Sequence, residues 1–327
     1  MLSTIALFIH RAIIQGIPLL YGSVGEIVTE KSGNLNLGIP GIMYVGGISG
    51  IIGAFFYERS TDTINPALGI LIPLLSSLVG SLIMALIYSF LTITLRANQN
   101  VTGLALTTFG IGIGNFFGGS LASLFGEGGS IALTRTSQLF QTTLPFAKSL
   151  GAVGEIFFSY GFLAYLAIVI AFIAGYILSR TRVGLNLRAV GENPATADAA
   201  GINVTRYKYV ATCVGGMIAG LGGLYFIMDY TCGVWSNGGF GDRGWLAIAL
   251  VIFALWRPRM SILGSILFGG LYIIYLFIPG LDRSSQEIFK MLPYVVTIVV
   301  LVLISMRKKR ENQPPAHLGM SYFREDR

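Results

Sequence analysis

Charge is scarce in this chain. Asp, Glu, Lys and Arg make up 11% of its 327 residues, against about 25% in soluble domains. Apolar residues reach 54% and mean hydropathy is +0.72. The apolar runs cover nearly the whole length, which excludes a soluble domain carrying one anchor and leaves a polytopic membrane protein. Histidine is almost missing: His10 and His317 lie near the two ends, and the lack of a Ser/His/Asp or metal grouping argues against an intramembrane enzyme. His10 reads as a packing or interfacial residue of the first span. The two cysteines, Cys213 and Cys232, sit about 28 Å apart along one span at about 1.5 Å per residue, too far to pair, and show no metal spacing. No G-x-x-x-x-G-K-[ST] loop occurs, so the chain hydrolyses no ATP itself. Acidic residues are absent from span centres, which argues against a proton- or sodium-coupled carrier. Glu26, Lys208, Asp229 and Lys290 fall near span ends, where they are expected to snorkel or meet water. No small-residue cleavage site follows a short apolar core at the N-terminus, so that run is expected to be retained.

What is present is a series of apolar runs. Nine spans are expected, with eight to ten as the range: 5–28, 42–57, 67–95, 101–125, 156–179, 207–230, 245–256, 262–278 and 288–306. The fold class is therefore an all-α membrane bundle over 1–306, followed by a basic tail, 307–327. The third run exceeds the roughly 20 residues a span needs and implies tilt. The seventh is short, and Pro293 falls inside the last. Residues 126–155 read as an external loop with a partial helix. The 43 glycines suit helices that approach closely or break. The net charge of +7 is best read by location, which leaves no role for nucleic acid. With nine spans, fifteen of the 22 Lys and Arg fall on one side, and the positive-inside rule makes that side cytoplasmic. The N-terminus is then outside and the C-terminus inside.

Between two long apolar runs lies a polar, basic island, 180–206, RTRVGLNLRAVGENPATADAAGINVTR. Asn193-Pro194 reads as an N-cap followed by proline at the first helical position. Residues 195–200 then make about two turns, and Gly201 is placed to end them as C′. So short a helix has too little apolar surface to fold for its own sake. Two readings stay open from the residues alone: a helix that docks on a partner protein, or an ordinary cytoplasmic loop.

Neutral polar residues at or inside span boundaries are the other candidates. Asn34, Asn36, Gln99, Asn100, Thr102, Thr107, Thr108 and Asn115 must face protein or a water-filled path, because unsatisfied amides are costly in lipid. Interhelical bonding is the plain reading for any one of them. A lined path for an uncharged polar solute is the functional one.

The segment 25–47, GEIVTEKSGNLNLGIPGIMYVGG, resembles the signature near the start of ABC-importer permeases of the branched-chain-amino-acid/ribose type, in the nucleoside and simple-sugar subgroup. NQNVTGLAL (98–106), GLNLRAVGENPATADAAGINVTRYK (184–208) and GDRGWLAIALVIFALWRP (241–258) resemble the subgroup's other motifs in the right order. The likeness covers most of residues 15–280. It implies a type II ABC-importer-like fold in two pseudo-symmetric halves. It also implies a cytosolic ATPase subunit carrying ATP and Mg, a second and non-identical permease, and an extracytoplasmic substrate-binding protein, all at a bacterial cytoplasmic membrane. This chain itself would hold no cofactor. By the same resemblance the island is a coupling helix acting through Gly191, Glu192, Asn193, Pro194, Ala197 and Gly201, with Glu192, Asn193, Pro194 and Ala197 in contact with the ATPase. Pro40 stands where the subgroup commonly shows an acidic residue, and the family does not require the long basic tail.

The expected solute is a nucleoside, with riboflavin or a simple sugar as alternatives. Aromatic residues, 12% of the chain, can stack on a heterocycle, but they also form interfacial belts. The alternative from another class is a secondary carrier working alone, which would transport in liposomes without an ATPase.

Overall fold

The computed structural model describes residues 2–124, 131–145, 151–307 and 313–323. In chain order the helices are α1 (Leu2–Glu30), α2 (Ile39–Ser60), α3 (Pro66–Ser89), α4 (Gln99–Leu124), α5 (Thr134–Phe140), α6 (Gly151–Phe157), α7 (Phe162–Arg180), α8 (Arg182–Glu192) and α9 (Pro194–Ala199). Then come α10 (Val204–Tyr225), α11 (Arg243–Phe253), α12 (Pro258–Ile273), α13 (Arg283–Lys290) and α14 (Leu292–Arg307). Wider π-turns extend α3 and α10 through Phe90–Thr94 and Phe226–Tyr230. No strand occurs among the described residues; Ala132 and Val234 make an isolated bridge.

Eight stretches of the described residues are helical, long and apolar enough to cross a membrane. The expected ninth crossing is α11, whose 11 residues rise about 16 Å, half of a hydrocarbon core of about 30 Å. The turns of 231–242 lie before it. Trp235 and Phe240 are buried there, and the Gly238 N–H donates to the Tyr44 hydroxyl at 2.9 Å. Irregular backbone of this kind is tolerated at depth only where protein surrounds it.

α1, α2 and α10 form the centre. α1 packs on α10 and α12, and α2 packs on α3 and α10. Glycine permits the closest of these approaches: a Cβ on Gly25 would stand 2.3 Å from the Gly215 carbonyl oxygen. Tyr21, Met43, Leu224 and Phe226 fill the core between them. By contrast α14 exposes Ile298, Val299, Val302 and Leu303, an outer surface suited to lipid.

Four expectations need correction. The last span carries a one-residue break at Met291, where α13 ends at Lys290 and α14 begins at Leu292, and the apolar stretch Ser284–Leu303 runs on through Pro293. Proline thus falls in a first turn, where its missing N–H costs nothing. Glu26 and Lys208 do not snorkel to water: Glu26 is fully buried and Lys208 keeps 3% of its surface. Lys290 does reach solvent, paired with Glu287 at 2.6 Å. Pro40 opens α2 beside Gly244, where a Cβ would lie 2.5 Å from the Pro40 Cα. In the long connection α5 and α6 are two short helices rather than one. Lys148, residues 308–312, Arg324 and Arg327 lie outside the described residues.

Candidate functional site

The island folds as an elbow of two helices, α8 and α9. Thr181 caps α8 by accepting from the Gly184 N–H at 3.1 Å. One face of α8, Gly184, Leu187, Val190 and Gly191, is buried, while Arg182, Val183, Leu185 and Arg188 are exposed. At the bend Asn193 is extended, with φ −151° and ψ 95°, and its Oδ1 accepts from the Thr196 N–H at 3.0 Å. Pro194 follows at the first helical position. At the other end Gly201 takes φ +81°. Its N–H donates to the Asp198 carbonyl, and the Ile202 N–H donates to the Ala197 carbonyl at 3.0 Å. Those two bonds are a Schellman closure, with Ile202 packed near Ala197 as the motif requires.

Both expected caps of the short helix are therefore in place, but its faces differ from expectation. Pro194 and Ala197 are both buried, Ala197 against the chain's own Val190 and Val204, so neither lies on the outer face. Gly191 is also internal: a Cβ there would meet the Lys31 carbonyl oxygen at 2.4 Å. The outer surface of the bend is instead Glu192, Asn193, Ala195, Thr196, Ala199 and Ala200, with Gly201 beside them. Helix periodicity explains this: Pro194 and Ala197 are three apart and share one side.

The elbow rests on the link 31–38 between α1 and α2, and the neutral polar residues hold that link. The Asn34 amide donates to Thr212 Oγ1 at 3.0 Å. Asn36 Oδ1 accepts from the Gly38 N–H at 2.9 Å, and the Asn36 N–H donates to Glu26 Oε1 at 2.9 Å. Gln99 Oε1 accepts from the Leu35 N–H at 2.7 Å, and the Thr107 hydroxyl donates to the Leu37 carbonyl at 2.8 Å. Three of the eight neutral polar residues, Asn36, Gln99 and Thr107, thus satisfy a non-helical backbone, while Asn34 ties the link to α10. Thr102 is buried nearby in α4, and Asn100 is exposed. Asn115 lies about 24 Å from Gln99 along α4, bonded through Oδ1 to the Tyr44 hydroxyl at 2.7 Å. The structure does not bring it to the residues around the link.

Other residues of this site escaped the sequence reading. The Trp256 indole N–H donates to Glu30, joining the end of α11 to the end of α1. Lys31, Arg188, Glu192 and Arg257 line one recess beside the elbow. Burial lowers the Lys31 ammonium below its usual range, the nearby arginines add to this, and Glu192 and Glu30 oppose it. The tail also returns: residues 313–323 lie across the elbow. The His317 N–H donates to the Gly191 carbonyl at 3.0 Å, and the Gly319 N–H to the Gly33 carbonyl at 3.2 Å. The Tyr322 hydroxyl reaches Asp198 Oδ2 at 3.0 Å, and Arg96 covers the Phe323 ring at 4.6 Å. Burial and the Lys208 cation both lower the His317 pKa. Only a proline-containing run in a polar tail hinted at such a strap.

Residues 8–301 match the family described as branched-chain amino acid transport system / permease component. The chain is 33% identical to the nucleoside ABC transporter permease protein NupC of Lactococcus lactis subsp. cremoris, over 92% of this chain and 93% of that one. It is 31% identical to a candidate glucose ABC transporter permease protein, TsgC13, of Haloferax volcanii, over 94% of each. The guanosine ABC transporter permease protein NupQ of Bacillus subtilis is 29% identical over 91% of each chain.

Proposed function

Because the chain belongs to the branched-chain amino acid transport system permease family, we propose that it moves an uncharged polar solute, a nucleoside, inward through an ATP-driven complex. It is a multi-pass transport subunit and not an enzyme. In this reading the basic face is cytosolic, the N-terminus is external, and ATP with Mg binds a separate ATPase subunit. A second permease and an external binding protein complete the assembly.

The single observation that carries the reading is α9, a helix of 6 residues closed at both ends and mounted on a second capped helix. Its buried side, Pro194 and Ala197, fixes it to the chain. Its outer side, Glu192, Asn193, Ala195, Thr196, Ala199 and Ala200, is the face offered to the motor. Motion of the ATPase pair pushes this elbow, and α7 and α10, which it joins, carry the displacement into the bundle. The path runs along α4 at the seam with the second permease, past Asn100 and Asn115. Two named relatives, one for nucleosides and one for guanosine, support the nucleoside over a sugar; riboflavin has no such support.

Disulfide trapping tests the docking face. Thr196→Cys should cross-link to a cysteine placed in the ATPase groove, in an ATP-dependent way, while Ala197→Cys should not. A pattern with Ala197→Cys reactive and Thr196→Cys silent contradicts the assignment. Ligand identification on the partnering binding protein tests the solute, and a sugar as sole ligand overturns the nucleoside.

A further inference from the structure

A second recess, of about 720 Å³, opens on the other side of the elbow, between the end of α3 and the start of α10. Arg96, Arg206 and Lys208 line it, together with Thr205, Tyr322 and Asp198. Arg206 and Arg96 are exposed, but Lys208 keeps only 3% of its surface. Among the described residues Lys208 has no hydrogen-bond or ion-pair partner, and its ammonium is not sealed off but opens onto the recess it lines. A buried ammonium without a counter-charge is costly, so its position calls for an anion.

The backbone makes the same demand. Asn203 Oδ1 satisfies the Arg206 N–H at 2.9 Å, which leaves the N–H groups of Val204 and Thr205, in the first turn of a 22-residue helix, without helical acceptors. Helix starts of this kind bind phosphate, through N–H donors and the positive end of the dipole. Asp198, the one acid of the lining, is engaged by the Tyr322 hydroxyl at 3.0 Å.

We propose that this recess is a phosphate-binding site in which Lys208 and Arg206 hold a phosphate group over the first turn of α10. The group belongs either to a soluble phosphate compound or to an anionic lipid headgroup, since Val210 continues the recess toward apolar surface. The proposal stands apart from the transport reading, because it needs only the charges, the burial and the helix start.

Native mass spectrometry of the full-length chain tests it in two arms. One arm adds inorganic pyrophosphate to the detergent-purified protein. The other compares chain taken from phosphatidylglycerol nanodiscs with chain taken from phosphatidylcholine nanodiscs. Retention in the first arm identifies a soluble phosphate, and selective retention of phosphatidylglycerol identifies a lipid; either supports the site. Lys208→Gln should weaken the retained species about tenfold, and Arg206→Gln, at an exposed side chain that leaves folding intact, several-fold. Equal retention by wild type and Arg206→Gln, equal retention of the two lipids, or no retention in either arm overturns the proposal. Loss of ATPase co-purification without any phosphate binding would assign the recess to a protein carboxylate, and that also overturns it.

Discussion

At Gly223 a Cβ would stand 1.8 Å from the Met43 carbonyl oxygen, on backbone that has nowhere to move. Gly112, on the exposed side of α4, would meet nothing within 4 Å. The two positions are therefore expected to behave in opposite ways. Gly223→Ala should destabilise the bundle by about 1–3 kcal/mol or more through overpacking. Gly112→Ala should be neutral or gain up to about 1 kcal/mol from helix propensity. Thermal unfolding in detergent measures both, and a stable Gly223→Ala would refute the packing of α10 on α2. His317 supplies a second residue-level expectation. Its pKa is lowered in the folded chain, so the folded state favours neutral imidazole. Stability from this group is present above the ordinary value of 6.5 and is lost as pH falls below it. The tail should thus loosen progressively as pH falls below about 6.5. Limited proteolysis after residue 312 should be faster at the lower pH, and His317→Gln should abolish the difference.

At the scale of the element, both closures of α9 were legible because each is local. Asn-Pro and a glycine seven residues beyond that proline need only neighbouring backbone to act. The helix α8 was not read in advance, because Arg182, Asn186 and Arg188 interrupt its apolar residues and its burial depends on α1, α7, α10 and the link 31–38, which only the fold brings to it. The same reason explains the neutral amides. Nothing in their spacing shows that Asn36 and Gln99 hold the backbone of the link 31–38 while Asn34 reaches Thr212 of α10, since Leu35 and Thr212 are distant in sequence from Gln99 and Asn34. Asn193→Ala removes one closure at about 1 kcal/mol. Combined with Gly201→Ala, which forces a side chain into φ +81°, it should fray α9 from both ends. Uptake is expected to fall severalfold while the amount of assembled complex stays constant. Unchanged uptake would mean that α9 carries no force.

For the whole molecule, the count of crossings was legible from apolar runs to within one helix. The exception, α11, is short because Arg243 at its start is buried over Phe226 at 4.5 Å and Tyr230 at 4.9 Å, so the chain needs protein rather than lipid around it there. The strap 313–323 was invisible for a related reason. Its bonds to Gly33, Gly191 and Asp198 join parts of the chain that only the folded bundle brings together. The account as a whole treats the elbow as the point where an external motor moves a passive bundle. Its most direct test is uptake of radiolabelled nucleoside into proteoliposomes holding the two permeases and binding protein, with and without the ATPase subunit. Uptake that requires both the subunit and hydrolysable ATP is the predicted result; nucleoside accumulation at the same rate without the subunit would contradict the account.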